Sequence, residues 1–311
     1  MKTVAVVSDK QLGDVTLLEP LTRLLAEQSG TPCAMFVKDA FRPLIELMPF
    51  ASWGPSSKLR HYLSITTSWS SRAVTTTIKL NARRRVLITN QNNQVRWWYR
   101  LFFHEILIEP IGAEYWAHYF WRVLGGKLEA FQKANLQQPP ITWSHSSLPN
   151  KPYILINPTA AWPTKYWLAD RWASVIHHLL ARGFVIVLTG GSSPPEIAHC
   201  ADITQLVPDQ SVVSFVGSTS LQEYIHAISR ASLVLCVDGS ASHLAQAFGV
   251  PTLTLFGPVY PVKWHCPSDL HRAVSAFDCT SSRPPSSADL TLEAVMSVLT
   301  SLLKEHPEIV C

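Results

Sequence analysis

Short apolar runs rich in β-branched residues alternate with longer stretches whose apolar positions recur every three or four residues. The first kind predicts buried strands and the second amphipathic helices. In the first half, residues 3–7 form a strand pattern, followed by Gly13-Asp14 and a helical pattern over 15–28. Residues 32–37 predict a strand and 39–47 a helix; 63–66 and 85–89 are further strand candidates, and 113–131 predicts a long helix.

In the second half, strands are predicted at 153–157, 185–189, 212–215, 233–237 and 252–256. Helices are predicted at 168–182, 195–201, 221–230, 242–248 and 290–303, with Gly183 and Gly249 as stops and Ser220 with Glu223 as a capping box. Strands alternating with helices imply parallel sheets covered on both faces, an α/β class.

Residues 137–152 break this rhythm with Pro139, Pro140, Pro149 and Pro152 among Ser, Asn and His. Proline interrupts helices and extends its predecessor, so this reads as a linker. The division predicted is a domain at 1–138, a linker at 139–152, a second domain at 153–286, and a terminal helix at 287–311 packing back on the first domain. Two such domains place a cleft between them.

Composition narrows the classes. Of 311 residues, 47% are hydrophobic and 15% charged, which argues for globular cores and against disorder. No apolar run reaches the ~20 residues of a membrane span, and the N-terminus lacks the apolar region of a signal peptide. A cytoplasmic protein is expected. The net charge of +4 is too small to imply nucleic acid. The six cysteines form no C-x-x-C pair and read as small buried hydrophobes. Residues 96–100, rich in Trp and Arg, read either as core or as a contact with the anionic inner membrane surface.

Ligands of open α/β sheets collect beyond the carboxyl ends of the strands. Several informative residues fall there. Asp238-Gly239-Ser240-Ala241-Ser242-His243 is a small-residue loop entering a helix, suited to a diphosphate; its plainer reading is a helix capped by Ser240 or Ser242. Lys165, before the helix at 168, can neutralise a phosphate or be a solvated surface lysine. Glu196 can accept from ribose hydroxyls or complement a helix dipole. Asp14 can serve as a general base or cap the helix from Val15. His243 can donate to a phosphate or be a partly buried polar residue. Walker and G-x-G-x-x-G loops, H-E-x-x-H, G-x-S-x-G and D-x-D are absent from the sequence.

Taken in order, these blocks resemble glycosyltransferase family 9, the ADP-heptose:lipopolysaccharide heptosyltransferase family. The matching residues are Ile154-Leu155-Ile156-Asn157-Pro158, Lys165-Tyr166-Trp167, Leu188-Thr189-Gly190-Gly191 with Glu196, and Val216-Gly217 with Ser220-Leu221. Asp238 to His243 with Leu244-Ala245 and Leu255-Phe256-Gly257-Pro258 with Trp264 and Pro267 complete the set, and Leu12-Gly13-Asp14-Val15 matches the opening loop.

The resemblance implies a GT-B fold, two Rossmann-like domains facing across a cleft, the first for the acceptor and the second for the nucleotide sugar. It implies inverting transfer of heptose from ADP-heptose to an inner-core lipopolysaccharide acceptor, Kdo-lipid A or a heptosyl group, without a metal or other cofactor. Asp14 matches the general base, Lys165 the phosphate-contacting lysine, Glu196 the ribose contact, Asp238 the donor-sugar aspartate, and Gly239, Ser240 and His243 the pyrophosphate loop. The family usually has Asp-Thr-Gly where this chain has Asp238-Gly239-Ser240, and serines in place of Asp9-Lys10-Gln11. Another sugar nucleotide, a protein acceptor, or a catalytically silent binding protein of the same fold are the alternatives.

Overall fold

The chain divides into two units, residues 1–137 and 138–311, and the computed structural model describes residues 3–54, 61–89, 95–109, 114–208 and 212–309. The first unit runs β1 (Val4–Val7), α1 (Leu12–Thr16), α2 (Glu19–Ser29), β2 (Cys33–Phe36), α3 (Arg42–Glu46), β3 (Ala51–Trp53), β4 (Leu63–Thr66), α4 (Ser71–Leu80), β5 (Arg84–Thr89), β6 (Glu105–Ile108) and α5 (Trp116–Val123). Its described strands form one six-stranded sheet in the order β3-β2-β1-β4-β5-β6, every pair parallel. This is the doubly wound order, which reverses between β1 and β4.

Three helices differ from expectation. The pattern over 15–28 is two helices, because the backbone turns at Leu17 and Leu18 and Pro20 opens α2. The one over 39–47 is a 3-10 turn followed by the short α3, whose first turn holds Pro43. The long helix expected over 113–131 ends at Val123. Gly125 has φ +89°, and a Cβ on Gly126 would lie 2.3 Å from the Trp121 indole, so this pair turns the chain where larger residues would not fit. Ala113, its expected start, lies outside the described residues.

The second unit runs β7 (Tyr153–Asn157), α6 (Ala169–Ala181), β8 (Val185–Leu188), α7 (Pro194–Thr204), β9 (Val212–Ser214), α8 (Leu221–Arg230), β10 (Leu233–Val237), α9 (Ser240–Phe248), β11 (Thr252–Phe256), β12 (His271–Ser275), α10 (Ala276–Cys279) and α11 (Leu292–Glu305). Its parallel six-stranded sheet has the order β12-β11-β10-β7-β8-β9. The reversal falls between β7 and β10, the same place relative to the unit's own first strand. The capping box of Ser220 and Glu223 is present at α8.

The central strands β7, β10 and β11 are buried along their whole length, which is why they read as continuous apolar runs. α11 was expected on the first domain; instead Val295, Leu299, Leu302 and Leu303 are buried in the core of the second unit with Leu253, Leu255 and Val274. The proline-rich stretch belongs to the second unit: its 3-10 turn Ile141–Trp143 contacts α8, and the His145 ring lies 4.5 Å from that of Phe215. Cys33, Cys200 and Cys236 are buried, Cys266 and Cys279 only half-buried, and Cys311 lies outside the described residues. No described helix is long and apolar enough to cross a membrane.

Candidate active site

In the second unit the chemistry gathers at the reversal point. β7 delivers the loop carrying Lys165, and Asp238 directly follows β10. Lys165 Nζ lies 2.5 Å from Asp238 Oδ2 and also donates to the Asp238 carbonyl at 3.3 Å. The side chains are 15% and 4% exposed, so the solvated-lysine reading fails. The Trp162 ring, 63% exposed, lies 5.0 Å from the same ammonium. Lys165 is therefore a charged group aimed by a buried carboxylate, with an aromatic face beside it.

The loop holding it is braced from behind. Ser287 Oγ donates to the Thr164 carbonyl at 2.9 Å, and Trp167 Nε1 donates to the Leu290 carbonyl at 2.8 Å. Asp238 itself is fixed by its backbone N–H, which donates to Leu255 O at 3.0 Å.

α9 starts beside Asp238 with Gly239 as its N-cap and no side-chain cap. Neither serine fills that role. Ser242 Oγ bonds Thr254 Oγ1 at 2.8 Å and accepts from Gln246 Nε2 at 2.9 Å, and Ser240 is itself the first residue of α9. The first backbone N–H groups of α9 thus keep the positive end of the helix open to an anion. His243 lies a turn in, 6% exposed, its ring 6.4 Å from that of Trp264.

Glu196 sits on the first turn of α7. Its Oε1 accepts from Gly191 N at 3.0 Å and from Thr159 Oγ1 at 3.2 Å, and its Oε2 accepts from Ser193 Oγ at 2.7 Å. The half-buried carboxylate organises the strand end. A Cβ added at Gly191 would fall 2.3 Å from Glu196 Oε2, so a larger residue there would displace this carboxylate.

In the first unit, Asp14 is not a helix cap. α1 begins at Leu12, and Asp14 is its third residue, half-buried and near the positive end of the helix. Asp9 Oδ2 accepts from Ser70 Oγ at 2.9 Å, and that serine caps α4. Asp9 and Ser70 follow β1 and β4, so this contact also marks a reversal point. Sequence reasoning missed Ser70, Trp162, Thr159 and Ser287. The polar run Thr66-Thr67-Ser68 after a strand candidate was a readable signal for the first. Among the described residues, no three His, Cys, Asp or Glu side chains converge to hold a metal ion.

Comparison with known proteins agrees with this layout. Over 205 residues, 60% of this chain, it is 26% identical to lipopolysaccharide heptosyltransferase 3 of Escherichia coli, and it spans 56% of that protein's length. A glycosyltransferase family 9 structure from Veillonella parvula superposes with a TM-score of 0.81 at 17% identity, covering 98% of this chain and 97% of the other. E. coli ADP-heptose lipopolysaccharide heptosyltransferase II superposes with a TM-score of 0.80 at 17% identity, covering 99% of this chain and all of that one. These likenesses establish the fold, two Rossmann-like domains of the GT-B class. Residues 56–288 match the family model described as glycosyltransferase family 9 (heptosyltransferase), and the chain belongs to that family.

Proposed function

We infer that the protein is an inverting heptosyltransferase that uses ADP-heptose and acts on an inner-core lipopolysaccharide acceptor, Kdo-lipid A or a heptosyl group, at the cytoplasmic face of the inner membrane. The observation that carries this reading is the Lys165–Asp238 pair beside the uncapped start of α9. A diphosphate there meets an ammonium and a row of backbone donors, which favour charge that grows as the leaving group departs. Glu196 lies at the neighbouring strand end, where a ribose hydroxyl can donate to it. The names of the relatives, lipopolysaccharide heptosyltransferases, support the sugar and the acceptor class.

In the reaction, an acceptor hydroxyl oxygen attacks the anomeric carbon. The bond to the diphosphate oxygen breaks, and its electrons leave with ADP. Asp14 takes the hydroxyl proton. Lys165 and the α9 N–H groups hold the departing diphosphate. Asp238, while unliganded, keeps Lys165 in place; beside the donor it is positioned to accept from a sugar hydroxyl.

Asp14→Asn tests the assignment. The variant removes the base but keeps shape, so folding and ADP affinity should survive while transfer falls roughly 10²–10⁴-fold. Calorimetric titration with ADP beside a transfer assay reads both. Unchanged transfer would assign the base elsewhere. Absence of ADP binding with normal folding would point to another sugar nucleotide as the donor.

A further inference from the structure

We propose that the 3-10 turn Trp97–Leu101 and its arginines form a membrane-contact surface that seats the first unit on an anionic lipid bilayer. The inner side of this segment is fixed. Tyr99 and Phe103 are buried with Val74 and Leu87, and Tyr99 OH donates to the Trp69 carbonyl at 2.9 Å. Trp98 packs edge-on against Tyr99 at 4.4 Å, and Arg85 Nε donates to the Phe102 carbonyl.

The outer side presents the opposite chemistry. Trp97 is 78% exposed and Leu101 70%, although the same turn buries Tyr99 and half-buries Trp98. A tryptophan and a leucine held in water by a rigid base lose the hydrophobic gain that their neighbours realise. Arg96 and Arg100 are exposed beside them, and neither has a carboxylate partner among the described residues. An amphipathic aromatic ring, an aliphatic side chain and adjacent guanidinium groups are what a headgroup region takes up.

The surrounding charge gives the sign of the partner. Residues 47–104 contain nine Lys and Arg and no Asp or Glu. Residues 1–137 hold 17 basic and 10 acidic residues, a net of +7, whereas residues 138–311 hold 9 and 12, a net of −3. The overall value of +4 therefore conceals a basic unit that carries the exposed turn. An anionic leaflet attracts such a segment with ~1 kcal/mol per basic residue near the surface. The turn belongs to the first unit and the Lys165–Asp238 pair to the second, so its test needs neither nucleotide nor acceptor.

The experiment is co-sedimentation of the full chain with vesicles of phosphatidylethanolamine and phosphatidylglycerol, against phosphatidylcholine alone. Wild type should partition to the anionic vesicles and less to the neutral ones. Arg96→Gln with Arg100→Gln should lower anionic partition by about fivefold per arginine and leave the neutral value little changed. Trp97→Ser with Leu101→Ser should lower partition to both by about tenfold or more. Both variants should keep the wild-type thermal midpoint, since the altered side chains lie outside the core. Equal partition of wild type and the Trp97/Leu101 variant would overturn the proposal. So would failure of wild type to bind either vesicle, or sedimentation velocity showing a dimer that the same variant dissolves, which would make the turn a protein interface.

Discussion

Lys165 and Asp238 illustrate how burial turns a charged pair from decoration into an obligation. At 15% and 4% exposure, neither partner is well hydrated, so each depends on the other. Lys165→Met leaves a buried carboxylate without its counter-charge and should cost about 3 kcal/mol of stability, with loss of ADP affinity. Asp238→Asn alone leaves Lys165 less constrained and should cost less, because the lysine can reach toward water. Combining the two replaces a charged pair with neutral groups and should recover much of the stability without recovering ADP binding. Urea unfolding and ADP titration on the three variants separate the two effects. Additive stability losses would mean that the pair is not coupled and that Lys165 lies on the surface in solution.

The loop that presents Lys165 depends on a neighbouring element for its position. Gly257, at the end of β11, faces Ser287, and a Cβ there would lie 2.0 Å from Ser287 Oγ and 3.0 Å from its Cα. Gly257→Ala must push the 3-10 turn Ser287–Asp289 away, at about 1–3 kcal/mol, and with it the hydroxyl that holds Thr164. The thermal midpoint and ADP affinity should fall together; an unchanged affinity in a destabilised variant would show that the brace does not set the lysine. Elements like this one also mark what the sequence could convey. β7, β10 and β11 were legible because central strands need apolar residues on both faces. The edge strands β3, β6 and β12 escaped notice because they are short or carry Ser52, Glu105, His271 and Arg272, the polar content that edges tolerate. The candidate residues were legible one by one as strand ends, but their partnership was not. Lys165 and Asp238 are 73 residues apart, and only the sheet order brings β7 beside β10. Asp14 was misplaced relative to its helix because Gly13 reads as a turn, while the backbone here accommodates it inside α1.

At the scale of the whole molecule, buried histidines decide how the fold meets acid. Burial pushes the His265 imidazole down to about 4, with the facing His243 adding to the shift and the His271 backbone and Asp238 opposing it. It packs edge-on against Phe256 at 5.9 Å and is 7% exposed. The sign follows from proton counting. Between the ordinary value near 6.5 and about 4, the unfolded chain carries a proton on this residue that the folded chain refuses. Its contribution to stability is therefore complete above 6.5, falls as the pH drops through that window, and levels off below 4, for a total of up to about 3 kcal/mol. Burial lowers His199 and His226 in the same direction, so the second unit carries several such groups. Chemical unfolding of wild type at a series of pH values from 7 to 4.5 should show declining stability. His265→Gln sacrifices some stability at pH 7 but has no proton to take up, so its decline over the same range should be shallower. The slope is the readout, because a packing defect alone lowers the curve without tilting it. Parallel curves for the two proteins would mean that His265 titrates alike in both states and that the acid sensitivity belongs to the other histidines.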